Sequence, residues 1–187
     1  MKAAIALLSD FHVQNIVRRM VFEISRYGEV EFFGSLLPAH VSLKQPFTFE
    51  SMDNLQEWFE SFSQRTPAMT IRLDHIYYDE WDEHAIVGLR VQETPALREL
   101  HNQFNRELKE IVRDPSAPYD GDGYRFHLTI ELGNKGNSNP FKRFYDALSD
   151  KQVSLSFRAE HIALFYYADR EIKPGSFICS TVLPLTG

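Results

Sequence analysis

A single cysteine, Cys179, among 187 residues excludes an internal disulfide and any cysteine-based zinc cluster. It stands in Phe177-Ile178-Cys179, where it reads as a small buried apolar residue. Basic charge is also scarce: 20 Lys and Arg against 26 Asp and Glu leave a net charge of −6. That excludes a domain gripping long nucleic acid through a general basic surface. A short oligonucleotide or a single nucleotide needs only a local basic pocket and stays open. No hydrophobic run reaches membrane-spanning length either. The apolar stretch from Ala3 to Leu8 is too short, and Ser9-Asp10 ends it as a helix start would. It imitates the apolar core of a signal peptide, but no small-residue cleavage site follows. The expectation is a buried first strand of a cytoplasmic protein with no membrane partner. What is left is ordinary globular composition, 43% hydrophobic and 25% charged, with 15 Phe and 8 Tyr for a packed core or stacking surfaces. The length suits one large domain or two small lobes.

Hydrophobic spacing gives the order of elements. After the first strand, Ser9 or Asp10 caps a helix from about Phe11 to Tyr27, closed by Gly28. A connector follows, with a short strand expected at Val30 to Phe33. His40-Val41-Ser42-Leu43 then reads as a strand running into Gln45-Pro46-Phe47. Asp53 opens a second helix. Met69 to Tyr78 and His84 to Val91 alternate as hairpin partners around Asp79 to Glu83. Thr94-Pro95 begins a third helix, reaching about Val112. After a loop from Asp114 to Gly123, His127-Leu128-Thr129-Ile130 forms the next strand. A helix from Pro140 to Leu148, one or two strands within Val153 to Tyr167, and a last strand from Ser176 to Leu185 complete the chain.

The two His-containing strands repeat one pattern: His, an apolar residue, a short hydroxyl residue, another apolar residue. In a strand the side chains alternate faces. His40 and Ser42 therefore share one face and Val41 and Leu43 the other; His127 with Thr129 and Leu128 with Ile130 divide alike. The surroundings repeat too. Asp74-His75-Ile76 matches Glu160-His161-Ile162 at an offset of 86 (161 − 75), and the two motifs are offset by 87 (127 − 40). A near-constant offset across separate matches implies internal duplication. Two copies of an α+β unit would pack about a pseudo-two-fold axis, bringing His40 and His127 to one cleft.

Paired apolar-His-x-Ser/Thr-apolar motifs half a chain apart, with Lys44-Gln45-Pro46-Phe47 after the first, resemble the 2H phosphoesterase superfamily. That group includes bacterial 2′-5′ RNA ligase-like proteins and cyclic nucleotide phosphodiesterases of RNA metabolism. The sequence departs from the usual pattern in one place: Pro38 lies two residues before His40, and Phe126 rather than Pro precedes His127. The resemblance implies an α+β, duplicated, bilobal fold with two antiparallel sheets around a central cleft and helices outside. It would be a single domain over 1–187 made of two interleaved lobes, with motif strands near 40–47 and 125–132. The resemblance also implies metal-independent chemistry on 2′,3′-cyclic phosphates or 2′-5′ phosphodiester bonds of RNA ends or nucleotides, without a cofactor.

Cleaving a phosphodiester takes a base on the attacking oxygen and an acid on the leaving oxygen. Imidazole suits both roles because its ordinary pKa is near ~6.5. His40 and His127 are the candidate catalytic pair. Ser42 and Thr129, on the same strand faces, are candidate phosphate donors. Period-two spacing adds Lys44 to the first face, and Arg125 and Glu131 to the second. Lys44 and Arg125 are either phosphate contacts or solvated strand-end cations. Tyr124 and Tyr119 either stack on a base or pack the loop. His75 and His161 read as structural, and His12, His84 and His101 as surface. A metal held by His40 and His127 lacks a third, carboxylate ligand at motif spacing. A non-catalytic module binding a nucleotide or short RNA is the rival to an enzyme. The mixed-charge surface allows a monomer.

Overall fold

A computed structural model describes residues 1–112, 120–167 and 177–187. Strand β1 (Lys2–Leu8) leads into helix α1 (Phe11–Ser25), whose N-cap Asp10 accepts a hydrogen bond from the Val13 backbone N–H. A 3-10 turn at Gly34–Leu36 replaces the short strand expected nearby. Strands β2 (His40–Ser42) and β3 (Phe47–Thr48) precede helix α2 (Met52–Ser63). Its cap is Ser51, not Asp53, because the Ser51 hydroxyl accepts from the Asn54 N–H. Strands β4 (Met69–Trp81) and β5 (His84–Val91) form a hairpin tighter than the alternation alone suggests, turning on Asp82 at φ 46°. Helix α3 (Pro95–Ile111) has Thr94 as its cap. Strand β6 (His127–Asn134), helix α4 (Asn139–Leu148) and strands β7 (Leu155–Ala159), β8 (His161–Tyr167) and β9 (Ile178–Pro184) follow.

All nine described strands join one antiparallel sheet in the order β7-β4-β5-β6-β2-β1-β8-β9, with β3 against β1. The two expected half-sheets are thus continuous, joined where β2 meets β6. The order β4-β5-β6 is the mirror of β8-β1-β2, and the register shows the two-fold axis directly. Val41 faces Leu128, residues 87 apart (128 − 41), and Ile71 faces Phe157, 86 apart (157 − 71). These are the offsets at which the sequence repeats, so equivalent residues of the two copies meet on the axis at both junctions.

One face of the sheet carries the main core. Ile5, Leu7, Val41, Leu43, Val87, Leu89, Leu128 and Ile130 pack there with the buried stripes of the four described helices: Val13 and Val17, Phe59 and Phe62, Phe104 and Leu108, Phe141 and Phe144. Truncating one of the fully buried leucines to Ala costs about 2–5 kcal/mol. A smaller apolar cluster of Ala4, Ala6, Ala163 and Phe165, joined by Leu8, Leu37, Phe177 and Cys179, occupies the other face and contains no helix residue. Cys179 is half-buried there. No helix among the described residues is long and apolar enough to cross a membrane.

Candidate active site

The facing of Val41 and Leu128 fixes the geometry of the two motifs. One residue along the antiparallel register sets His40 opposite Thr129 and Ser42 opposite His127. Each imidazole therefore stands across from the other motif's hydroxyl. The two His lie on one diagonal of this four-residue square and the two hydroxyls on the other. Diagonal neighbours are roughly 7–8 Å apart at the backbone, a span that one phosphate can bridge. Val41, Leu43, Leu128 and Ile130 are all 0% exposed on the core side, anchoring the strands beneath the four polar side chains.

The imidazoles are held alike. His40 Nδ1 lies 2.7 Å from the Pro38 carbonyl, and His127 Nδ1 lies 2.9 Å from the Arg125 carbonyl. A carbonyl only accepts, so each Nδ1 carries the proton and each neutral ring presents Nε2 as the free acceptor. The backbone before each His is fastened by the helix of its own lobe. Gln14 of α1 brackets Ala39, accepting from its N–H at 2.8 Å and donating to its carbonyl at 2.9 Å. Arg98 of α3 donates to the Tyr124 carbonyl at 2.7 Å and lies over the Phe126 ring. Burial lowers His40 to about 4, and the facing His127 adds to that lowering against the opposing bond to Pro38. Burial also lowers His127, and the Arg90 charge lowers it further. Both rings are accordingly neutral in the free protein near pH 7. Among the described residues, neither the Ser42 nor the Thr129 hydroxyl is engaged by another side chain. A cavity of about 20 Å³, room for about one water, adjoins His40 and Thr129 beneath Leu37 and Pro38.

Three other sequence candidates fall differently. Lys44 is not a solvated strand-end cation: it is 4% exposed, and its ammonium pairs with Asp120 Oδ2 at 2.5 Å. Tyr124 is not a free stacking surface: it is 5% exposed, stacked on His101 at 4.5 Å, and its hydroxyl donates to the Ser42 carbonyl. Arg125 is exposed at the rim, immediately before β6. Tyr119 lies outside the described residues. Glu131 does not share the His127 face, because a bulge at Ile130 sets Thr129 opposite Gly88 but Glu131 opposite Val87. That extra residue turns Glu131 into the core at 0% exposure, where Oε1 accepts from the Gly34 N–H at 2.5 Å and Oε2 is without a partner. Burial raises its pKa.

His101 is not a surface residue. It is fully buried, with Nδ1 donating to the Leu43 carbonyl at 2.6 Å and Nε2 accepting from the Gly121 N–H at 2.8 Å. His75 and His161 are both exposed, so neither is a packed structural residue.

The structure adds residues that sequence spacing does not mark. Tyr77, on β4, reaches across Gly88 of β5 and meets the His127 ring edge-on at 5.8 Å. A Cβ on residue 88 would lie 2.7 Å from the Tyr77 ring and from the Leu128 carbonyl, so glycine is what lets the tyrosine through. Arg90 is the cross-strand partner of His127 and stacks 3.7 Å above the Tyr77 ring. Phe165 packs against His40 at 4.8 Å. A visible signal for Arg90 was its place as the one charged residue within the apolar run Ala85 to Val91. Its closeness to His127 follows only once β5 is known to pair with β6.

A separate groove of about 420 Å³, lined by residues that include Arg72, Asp74, Gln92 and Ser154, lies at the β4–β7 junction and contains none of the motif residues. Among the described residues, no group of three or more His, Cys, Asp or Glu side chains could hold a metal ion.

The sequence model of the 2′-5′ RNA ligase superfamily matches residues 21–171. No curated protein matches the chain. Solved structures share its fold over nearly the whole length. TT0787 of Thermus thermophilus is 14% identical with a TM-score of 0.66, covering 100% of this chain and 99% of its own. Escherichia coli LigT complexed with NADP+ is 13% identical with a TM-score of 0.58, covering 100% and 98%. Kluyveromyces marxianus Usb1 is 18% identical with a TM-score of 0.57, covering 98% of each chain.

Proposed function

The chain belongs to the 2′-5′ RNA ligase superfamily, and from that premise we propose that it is a phosphoesterase acting on 2′,3′-cyclic phosphates or 2′-5′ phosphodiester bonds of RNA ends or nucleotides. The observation that carries this reading is the crossed square: two Nδ1-protonated imidazoles on one diagonal and two unengaged hydroxyls on the other. A nucleotide substrate is further supported by the solved complexes of Escherichia coli LigT with ATP and with 3′-AMP.

Ser42 and Thr129 donate to the non-bridging oxygens, where negative charge grows in the transition state. An anionic phosphate between the rings favours their charged forms, offsetting the lowering that burial imposes on both in the free protein. One Nε2 takes the proton of the attacking water as its oxygen bonds to phosphorus. The other, protonated, gives its proton to the ribose oxygen as that P–O bond breaks. Ligation through a cyclic phosphate follows the same path with the hydroxyl of a second strand in place of water: one Nε2 takes its proton as its oxygen bonds to phosphorus, and the other ring protonates the ribose oxygen as that P–O bond breaks. Neither step calls for a metal. Both motifs come from one chain, which fits a monomer, and a net charge of −6 fits a short substrate better than a long one.

The test is turnover of 2′,3′-cyclic nucleotides and 2′-5′ dinucleotides with EDTA present. Wild-type protein should show a bell-shaped rate–pH profile, and His40→Ala and His127→Ala should each lose roughly 10²–10⁴-fold. Full activity in either variant, or tight binding without any turnover, would refute the proposal.

A further inference from the structure

The two-fold axis makes the motifs interchangeable, so they do not say which way a substrate lies. The residues flanking them do. Leu8 is the cross-strand partner of His40, and Arg90 is the cross-strand partner of His127. These are equivalent positions in the two lobes, one apolar and one cationic. The environments extend the contrast. His40 is bordered by Phe165 and, through β1, by the apolar cluster of Ala4, Ala6, Ala163, Leu8 and Leu37. His127 is bordered by Tyr77 and Arg90, with Arg125 exposed at the rim.

Arg90 is also built to present its charge. Its guanidinium carbon lies 3.7 Å from the centre of the Tyr77 ring, the phenol passes over Gly88, and the Arg90 side chain is only partly buried. A guanidinium placed over an aromatic face keeps its planar fork of N–H donors available to an anion. Among the described residues no carboxylate takes them up. A cation placed beside an imidazole with an aromatic ring beneath it and no carboxylate to pair with lowers that imidazole's proton affinity. Its position is accounted for if an anion arrives there.

We propose that Arg90 receives a second phosphate of the substrate, one next to the phosphate under attack, and so fixes substrate polarity with the additional charge on the His127 side and the apolar nucleoside side toward Leu8 and Phe165. This rests on the phosphoesterase reading above. Arg90 stands one strand outside His127 on the side away from His40, about 4.8 Å farther across the sheet. The central phosphate already has the four motif side chains, and the neighbouring position has Arg90.

The experiment compares adenosine 2′,3′-cyclic phosphate with the same compound carrying a 5′-phosphate. Both present the same bond to be broken. Wild-type protein should prefer the 5′-phosphorylated compound by tenfold or more in kcat/KM, chiefly through KM, with the preference shrinking as salt is raised. Arg90→Gln should bring the ratio of the two substrates to near one, and Arg90→Lys should keep part of it because charge survives without the planar fork. The ratio is insensitive to a general loss of fold or alignment, which would lower both substrates together. A wild-type preference that persists in Arg90→Gln, or no preference in the wild type, overturns the assignment while leaving the phosphoesterase reading intact. Turnover of neither compound by the wild type overturns both.

Discussion

Replacing Lys44 with Met separates two accounts of that residue. As a phosphate contact it would affect substrate affinity and little else. In the structure its ammonium and the Asp120 carboxylate are 2.5 Å apart, with side chains 5% and 3% exposed. Removing one partner of so buried a pair leaves a carboxylate out of water without its counter-charge, a loss of about 3–5 kcal/mol. With a urea m-value near ~2 kcal/mol/M, the unfolding midpoint should fall by about 1.5–2.5 M. The loss is smaller than the ~5–15 kcal/mol stability usual for a domain, so the variant stays folded enough to assay in dilute buffer. KM for a cyclic nucleotide should then change by less than about threefold, since no direct contact with the phosphate is lost. Adding Asp120→Asn should recover part of the stability, because no bare charge remains buried. A tenfold rise in KM with an unchanged urea midpoint would show that Lys44 faces the substrate and that the buried pair is wrong.

His40 lowered to about 4 means that the unfolded chain takes up its proton before the folded one does, so the stability it contributes is complete above pH ~6.5 and is lost as pH falls toward 4, roughly 3 kcal/mol in all. His40→Asn should flatten this acid limb in urea melts run from pH 7 to 4; an unchanged slope would mean the ring is solvated. Glu131 works in the opposite direction: its raised pKa contributes stability that is present below the unfolded pKa of about 4.5 and is lost as pH rises through the folded value. Glu131→Gln keeps an acceptor for the Gly34 N–H and should gain on the wild type steadily as pH rises, and parallel stability curves for the two proteins would contradict a buried carboxyl.

Much of this molecule was legible because two signals, period-two alternation and repetition, survive without knowledge of long-range pairing. Val41, Leu43, Leu128 and Ile130 are fully buried, as the alternation required. The offsets 86 and 87 reappear as the facing pairs Ile71–Phe157 and Val41–Leu128. The illegible part depended on what the alternation cannot see. The bulge at Ile130 breaks the period and moves Glu131 to the other face. Lys44 and His101 look like surface residues until Asp120 and the Leu43 carbonyl, 76 and 58 positions away, come to meet them. Arg90 has no local mark beyond being charged within an apolar run. The single Pro38 carbonyl that orients His40 is likewise invisible in composition.

The duplicated halves are also laced to each other, and the lacing explains two residues at once. Lys44 is the fourth residue after His40, and Glu131 is the fourth after His127. Both are buried. Lys44 grips Asp120, in the segment that leads to His127. Glu131 grips Gly34, in the turn that leads to His40. Each motif strand thus fastens the approach to the opposite motif, in chemically unlike ways: an ion pair in one half, a carboxyl taking a backbone N–H in the other. Displacing one strand would drag on the segment that orients the other imidazole. Such coupling suits the proposed site, whose two imidazoles come from different lobes and keep one diagonal spacing. It also puts the symmetric features, the crossed His and hydroxyls, at the centre, and the divergent ones, Leu8 against Arg90 and Lys44 against Glu131, around them. In the proposed mechanism a symmetric centre lets either ring serve as acid or base, so the direction of the reaction on a given substrate would be set by the unsymmetric surround.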